Sequence, residues 1–230
     1  MTDRKQWVCT ARDVPGGRRV SEKATRGVAK VDRCWPKGTE LKIRFLEGSP
    51  ALHDRVLAAA RAWLVSGVKL SMVPARAGER SDMRIAFKER AGSWSYVGTE
   101  CLDIAADKPT MNLGWATLDT AEDDFSSVVI HEFGHALGLL HEHNHPKAGI
   151  SWNKPAVYAE LGDKPNNWDK RTIDDNVFAK FAAGQAVTDF DDVSVMIYTV
   201  PAHWTTDGSS FLPSPRLSTG DKATIRKLYG

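Results

Sequence analysis

Leu41, Ile43 and Phe45 alternate with Lys42 and Arg44, the period-two pattern of a strand with one buried face. Ser49-Pro50 follows as a helix start, Ser as cap and Pro in the first turn. Leu52, Val56, Ala59, Ala60, Trp63 and Leu64 then recur at helical spacing until Ser66-Gly67 ends the run. Val68, Leu70 and Met72 predict a second strand. Met83, Ile85 and Phe87, set among Asp82, Arg84 and Lys88, predict a third. A longer helical pattern runs from Ser126 to about Gly138. Beyond residue 142 the chain is rich in Pro, Asn, Asp and Trp. Ile173, Val177 and Phe181 predict a helix over Asp169–Phe181. A last helix begins near Ser218, with Asp221 three residues on in a capping-box position. Residues 1–33 are polar and broken by Pro15-Gly16-Gly17, which suggests a tail or a wrapping segment outside the core. The pattern gives an N-terminal extension over 1–33 and one catalytic-sized unit over 34–230. Within that unit an ordered α/β upper lobe, about 34–140, precedes a looser lower lobe, about 141–230.

Composition narrows the function. The 230 residues carry 31 Lys and Arg against 29 Asp and Glu, a net charge of +2. No basic surplus draws the chain to nucleic acid. No apolar run reaches the ~18 residues of a membrane span, and the N-terminus shows no secretory pattern. The three cysteines, Cys9, Cys34 and Cys101, allow one disulfide at most. The histidines are concentrated: five of the seven lie between 131 and 145.

That concentration carries the chemistry. In His131-Glu-Phe-Gly-His135-Ala-Leu-Gly138-Leu-Leu-His141-Glu142, His131 and His135 stand four apart, on one face of a helix. Gly138 falls where a helix ends in a left-handed residue. The chain then turns and brings in His141 as a third nitrogen. Three imidazoles suit one Zn²⁺ and leave its fourth position to water, the pattern of a catalytic site. Glu132 is placed to take that water's proton.

This spacing is the metzincin zinc signature, and Glu142 after the third His makes the chain resemble the astacin-like enzymes. Ser194-Val-Met196-Ile-Tyr198 resembles their Met-turn, Gly92-Ser-Trp-Ser-Tyr-Val-Gly98 resembles one of their Gly-flanked segments, and Trp35-Pro-Lys-Gly38 resembles the opening of their mature domain. Leu217-Ser-x-x-Asp221 is similar to their last helix. The resemblance covers about 35–230. It implies an α+β metzincin-type fold: an upper lobe of twisted mixed sheet with two long helices, an irregular lower lobe closed by a terminal helix, and a cleft between them. It implies a zinc metalloendopeptidase (class 3.4.24) acting on extended protein or peptide substrates outside the cell. It assigns His131, His135 and His141 to the metal and Glu132 to the base. It assigns Met196 to the floor beneath the metal, Tyr198 to the oxyanion, and Glu142 to anchoring a trimmed N-terminus. By the same resemblance Met111, Asn112, Leu113 and Gly114 belong to the edge strand that pairs with substrate. Thr199–Trp204 walls the pocket for the residue after the scissile bond. The rival reading is a zinc-bound module that grips peptides without cutting them.

The chain departs from that pattern in four places. Ile197 stands for the usual Met-turn His, and Ser93 for a Cys. His143 and His145 are additional, and their i, i+2 spacing predicts surface positions. The pro-segment motif of the family is absent from residues 1–33. There Cys9 or Asp13 is the candidate blocking ligand, the thiolate being the better one. Arg18–Gly27 is the candidate cleavage stretch, and an unrelated flexible tail is the alternative.

Overall fold

The structure, a computed structural model, describes residues 9–12, 29–164, 166–181 and 188–230. Asp13 and the Arg18–Gly27 stretch lie outside the described residues. Six strands form one mixed sheet: β1 (Thr10–Arg12), β2 (Glu40–Phe45), β3 (Ser71–Pro74), β4 (Met83–Ala86), β5 (Ser93–Tyr96) and β6 (Met111–Leu113). Their order across the sheet is β1-β5-β6-β4-β2-β3. Strands β2, β3, β4 and β6 run parallel, β5 runs antiparallel to β6, and β1 pairs parallel with β5.

Two long helices cover this sheet. In α1 (Pro50–Ala60) the Ser49 side chain accepts from the Leu52 N–H, as its cap position predicts. Leu52, Val56, Leu57 and Ala60 face the core. Helix α2 (Glu122–Ala136) begins four residues before the apolar pattern, with Glu122, Asp123 and Asp124 in its first turn, where the helix dipole favours acids. Arg55 of α1 donates to the carbonyls of Thr117, Leu118 and Thr120 and to Glu122, while its guanidinium lies 3.9 Å over the Phe125 ring. That clamp fixes the entry to α2. Trp63 and Trp35 donate their indole N–H groups to the Ile130 and Ala136 carbonyls, and Tyr229 donates to Leu137. Three aromatic side chains thus set the position of the helix that carries the metal ligands.

The second strand pattern is shorter than its periodicity suggests, because Val68 and Leu70 pack ahead of β3. Strand β4 is buried on both faces, including Arg84, whose guanidinium donates to the carbonyls of Ser81, Cys101, Ile104 and Lys108. The lower lobe contains α3 (Lys154–Gly162) and α4 (Lys170–Ile173) around a second core of Val157, Leu161, Ile173, Val177, Val200 and Trp204, while α5 (Thr219–Tyr229) packs Ile225 and Tyr229 into the main core. The helix expected to Phe181 is instead α4 followed by a wide π-type turn, Asp174–Phe178, closed by Ala179 N–H donating to the Asp174 carbonyl. That turn frees carbonyls that hold the histidine segment.

The sheet order corrects one expectation. Met111, Asn112 and Leu113 lie on β6, an internal strand paired to β4 on one side and β5 on the other. Asn112 spends its amide on Lys88 and Gly92. Gly114 is pressed against the Gly92 and Lys88 carbonyls, 2.5 and 2.7 Å from where a Cβ would sit. None of the four offers a free edge. The outermost strand on that side is β1, which occupies the far edge of β5.

Candidate active site

The ligand helix ends in a Schellman motif. Leu139 N–H donates to the Gly134 carbonyl and Gly138 N–H to that of His135, with Gly138 at φ 93°. A side chain there would be strained, and its Cβ would lie 3.1 Å from Cys34 Sγ. The reversal turns the chain so that His141 faces His131 and His135. The ring centroids of His131–His135, His135–His141 and His131–His141 are 4.9, 4.5 and 5.3 Å apart.

Backbone carbonyls orient two of these rings. His131 Nδ1 donates to Val195 at 2.8 Å, and His135 Nδ1 to Leu139 at 2.9 Å. Each Nε2 is thereby left as a lone pair, as metal-binding histidines require. His131 Nε2 is buried with no hydrogen-bond partner, and the Nε2 atoms of His135 and His141 face each other at 3.0 Å. Three converging nitrogens, one of them an orphan, fit a cation that accepts nitrogen donors. Burial pulls the His131 pKa to about 4 and that of His135 to about 3, so both rings are neutral and ready to ligate.

The floor is built from the lower lobe. Asp221 accepts from Ser218 N–H in the α5 capping box, and the same carboxylate accepts from Ser194 Oγ at 2.6 Å and Val195 N–H at 3.0 Å. One aspartate thus joins the last helix to the turn holding Met196. The Met196 carbonyl accepts from Glu142 N–H. Met196 Sδ lies so close to Gly134 that a Cβ there would overlap it. Glycine at the centre of the histidine motif is therefore a packing requirement.

Glu132 is buried, with Oε2 unpartnered. Burial pushes its pKa up to about 8, and a hydrogen bond with the Cys9 thiol partly offsets the rise. Tyr198 is also buried. Its ring packs against His141 and His143 at 4.3 and 4.2 Å, and its hydroxyl donates to the Cys9 carbonyl.

Cys9, the preferred of the two candidate blocking ligands, is brought into the site by the fold. It is 7% exposed, and its Sγ lies with the ligand nitrogens of His131, His135 and His141 within 4.8 Å of one another. Chain re-enters at Ala29, bridged to Leu139, with Lys30 N–H donating to the Gly138 carbonyl and Lys30 Nζ paired to Glu100 at 2.8 Å. The described parts of 1–33 therefore pack on the catalytic unit. Cys9, Cys34 and Cys101 are separate thiols, so no disulfide closes this chain.

Two expectations change here. His143 and His145 are buried, not surface, residues. His143 Nε2 donates to the Asn176 carbonyl on the π-type turn, and His145 Nε2 to Thr188. A short 3-10 turn, Glu142–Asn144, gives successive residues inward directions that an α-helix would not. Glu142 is buried as well, its Oε1 accepting from Asp191 N–H, and burial first, with the nearby Asp191 and Asp221 adding to it, raises its pKa to about 8.

Comparison with known proteins agrees with this geometry. The family model for astacin, a peptidase family, matches residues 28–205. A structure of myroilysin superposes with a TM-score of 0.81 at 36% identity over 86% of this chain and 96% of that one. A second, a crystal structure of myroilysin, gives 0.72 at 33% identity over 98% and 92%. High choriolytic enzyme 1, a hatching enzyme zinc-protease from the medaka fish Oryzias latipes, shares the fold at 0.59 and 19% identity over 86% and 94%. No curated protein gives a significant match. The family match spans most of the chain, the sheet and helices are those of the metzincin fold, and the histidine cluster fits zinc; the chain belongs to the astacin family of zinc metalloproteases.

Proposed function

We propose that the protein is an endopeptidase of class 3.4.24 whose zinc is held by His131, His135 and His141. Its site is kept latent by the Cys9 arm. Held by those three imidazoles, zinc would supply Lewis-acid chemistry to the peptide carbonyl and to water. The chain's own residues supply the rest. Glu132, the buried carboxylate beside the three imidazoles, takes a proton from the attacking water and returns it to the leaving amine. Tyr198 donates to the developing oxyanion. Met196 and Gly134 keep the ligand helix at a fixed height.

The observation that carries latency is the Cys9 thiol. With it the donor set becomes three imidazoles and a sulfur, the closed set of a structural zinc site, which leaves water no position. The same arm holds the Tyr198 hydroxyl through the Cys9 carbonyl, and its strand β1 lies along the outer edge of β5. Residues 1–33 therefore act as a pro-segment, and 34–230 as the catalytic domain. Extended protein substrates then pair with β5, the edge that β1 vacates, because backbone pairing tolerates many sequences. Work outside the cell follows the family resemblance. Among the described residues no helix is long and apolar enough to cross a membrane.

The test is casein digestion by the full chain, before and after brief trypsin treatment with the trypsin then quenched by a serine-protease inhibitor, with and without a chelator. Digestion that rises after trypsin and stops on chelation is expected. Digestion that is equal before and after trypsin removes the latency, and digestion that survives chelation removes the metal.

A further inference from the structure

We propose that Asp221 and Ser194 are positioning residues for the metal. A hydrogen-bonded relay runs from the Asp221 carboxylate through the Ser194 hydroxyl and the peptide joining Val195 to Met196, and it sets the strength of His131 as a zinc ligand. The inference rests on the zinc assignment made above. Ser194 Oγ donates to Asp221 Oδ1 at 2.6 Å, and Met196 N–H donates to Ser194 Oγ at 2.9 Å. The carbonyl of that same peptide, belonging to Val195, accepts from His131 Nδ1 at 2.8 Å. Every member is buried, His131 being the most exposed at 7%.

Chemistry fixes the direction of each bond. A carbonyl only accepts, so His131 Nδ1 carries the proton and Nε2 keeps the lone pair. A peptide N–H only donates, so Ser194 Oγ receives the Met196 amide and has its single proton left for Asp221. Asp221 accepts from Ser194 Oγ, Val195 N–H and Ser218 N–H, the inventory of an ionised carboxylate. Negative charge therefore stands at one end of the relay and the metal's nitrogen at the other.

Each link strengthens the next. A hydroxyl that donates to a carboxylate becomes a better acceptor. An N–H held by a better acceptor leaves more electron density on its own peptide's oxygen, and that oxygen draws harder on the His131 proton. The ring then presents a more basic Nε2 to the metal. The same carboxylate also fixes the geometry. Its Oδ2 holds the Val195 N–H at 3.0 Å, while Oδ1 acts through Ser194 on the next amide. Val195 is thus gripped on both sides, with its carbonyl held facing His131. His135 bonds instead to the Leu139 carbonyl, inside the reversal that ends α2, and so serves as a reference within the same site.

The test uses the full chain loaded with zinc. Competition with a chromogenic chelator gives the zinc affinity, and magnetic resonance on isotopically labelled histidine gives the Nδ1–H proton signals of His131 and His135. Ser194→Ala breaks the relay and keeps the Asp221 bonds to Val195 and Ser218. It should weaken zinc binding by about 10-fold, the scale of an outer partner of a metal ligand. It should also move the His131 signal upfield and leave the His135 signal in place. Ser194→Thr, which restores the hydroxyl, should recover both. Unchanged affinity in Ser194→Ala, or a loss of affinity with the His131 signal unmoved, overturns the relay. If the Ser194 variants do not fold, the unmodified chain still decides. Its His131 proton should lie downfield of that of His135, since His131 alone stands at the end of the relay, and the reverse order overturns the inference. An unmodified chain that binds no zinc overturns the zinc assignment and the inference together.

Discussion

The Tyr198 hydroxyl donates to the backbone carbonyl of Cys9, 189 residues away in sequence. The contact joins the residue proposed to steady the oxyanion to the arm proposed to fill the metal's open position. A single strand of chain, Cys9 followed by β1, thus reaches three parts of the site: the ligand nitrogens, the Tyr198 hydroxyl and the β5 edge.

Release of the arm should therefore act on everything at once. Brief trypsin treatment should raise turnover on a quenched peptide by about 10-fold or more, since a thiolate is a strong zinc ligand and must leave before water can enter. Cys9→Ala in the full chain should give a smaller rise, because β1 still pairs with β5 and the backbone carbonyl still holds Tyr198. Equal turnover for the untreated, treated and Cys9→Ala proteins would remove the arm from regulation.

Tyr198→Phe in the trypsin-treated enzyme should lower kcat by roughly 10²-fold, the scale of one oxyanion donor, with zinc content unchanged. Measuring kcat and KM separately checks the role. A loss confined to KM would mean that Tyr198 positions substrate and does not stabilise charge.

Gly134→Ala should destabilise the chain by about 1–3 kcal/mol, because the new methyl overlaps Met196 Sδ and approaches Trp63 at 3.0 Å. Thermal melts compared with a Gly134→Ala/Met196→Ala double variant, which makes room for the methyl, check the cause. Partial recovery of the melting temperature in the double variant is expected.

Asp221→Ala should cost about 2–3 kcal/mol, since it removes a helix cap and two grips on the Met196 turn together. Asp221→Asn should cost less, as one acceptor oxygen remains. Denaturant midpoints separate the two.

Much of this site can be read from sequence because its determinants are local. The i, i+4 histidines, the glycine that ends α2, the Ser49 cap and the Ser218–Asp221 box all act within one or two helical turns. Strand neighbours are not local. Met111–Leu113 reads as a strand, but only the partner strands β4 and β5 make it internal. The alternating pattern of β4 conceals burial on both faces, because Arg84 finds four carbonyls in the loops around it. His143 and His145 read as surface residues on helical spacing. Carbonyls of the π-type turn and of Thr188, far along the chain, draw them inside. Cys9 could be ranked as a ligand by the chemistry of sulfur, but only the fold shows that its arm runs beside β5.

Glu132→Gln offers the most direct measurement. The substitution keeps side-chain shape and leaves His131, His135 and His141 untouched, so the purified variant should hold about one zinc per chain by elemental analysis. After trypsin treatment its kcat on a quenched peptide should fall by at least about 10²-fold, because the group that moves the proton is gone. A zinc-loaded Glu132→Gln enzyme that turns over at the unmodified rate would contradict the assignment of Glu132 as the base.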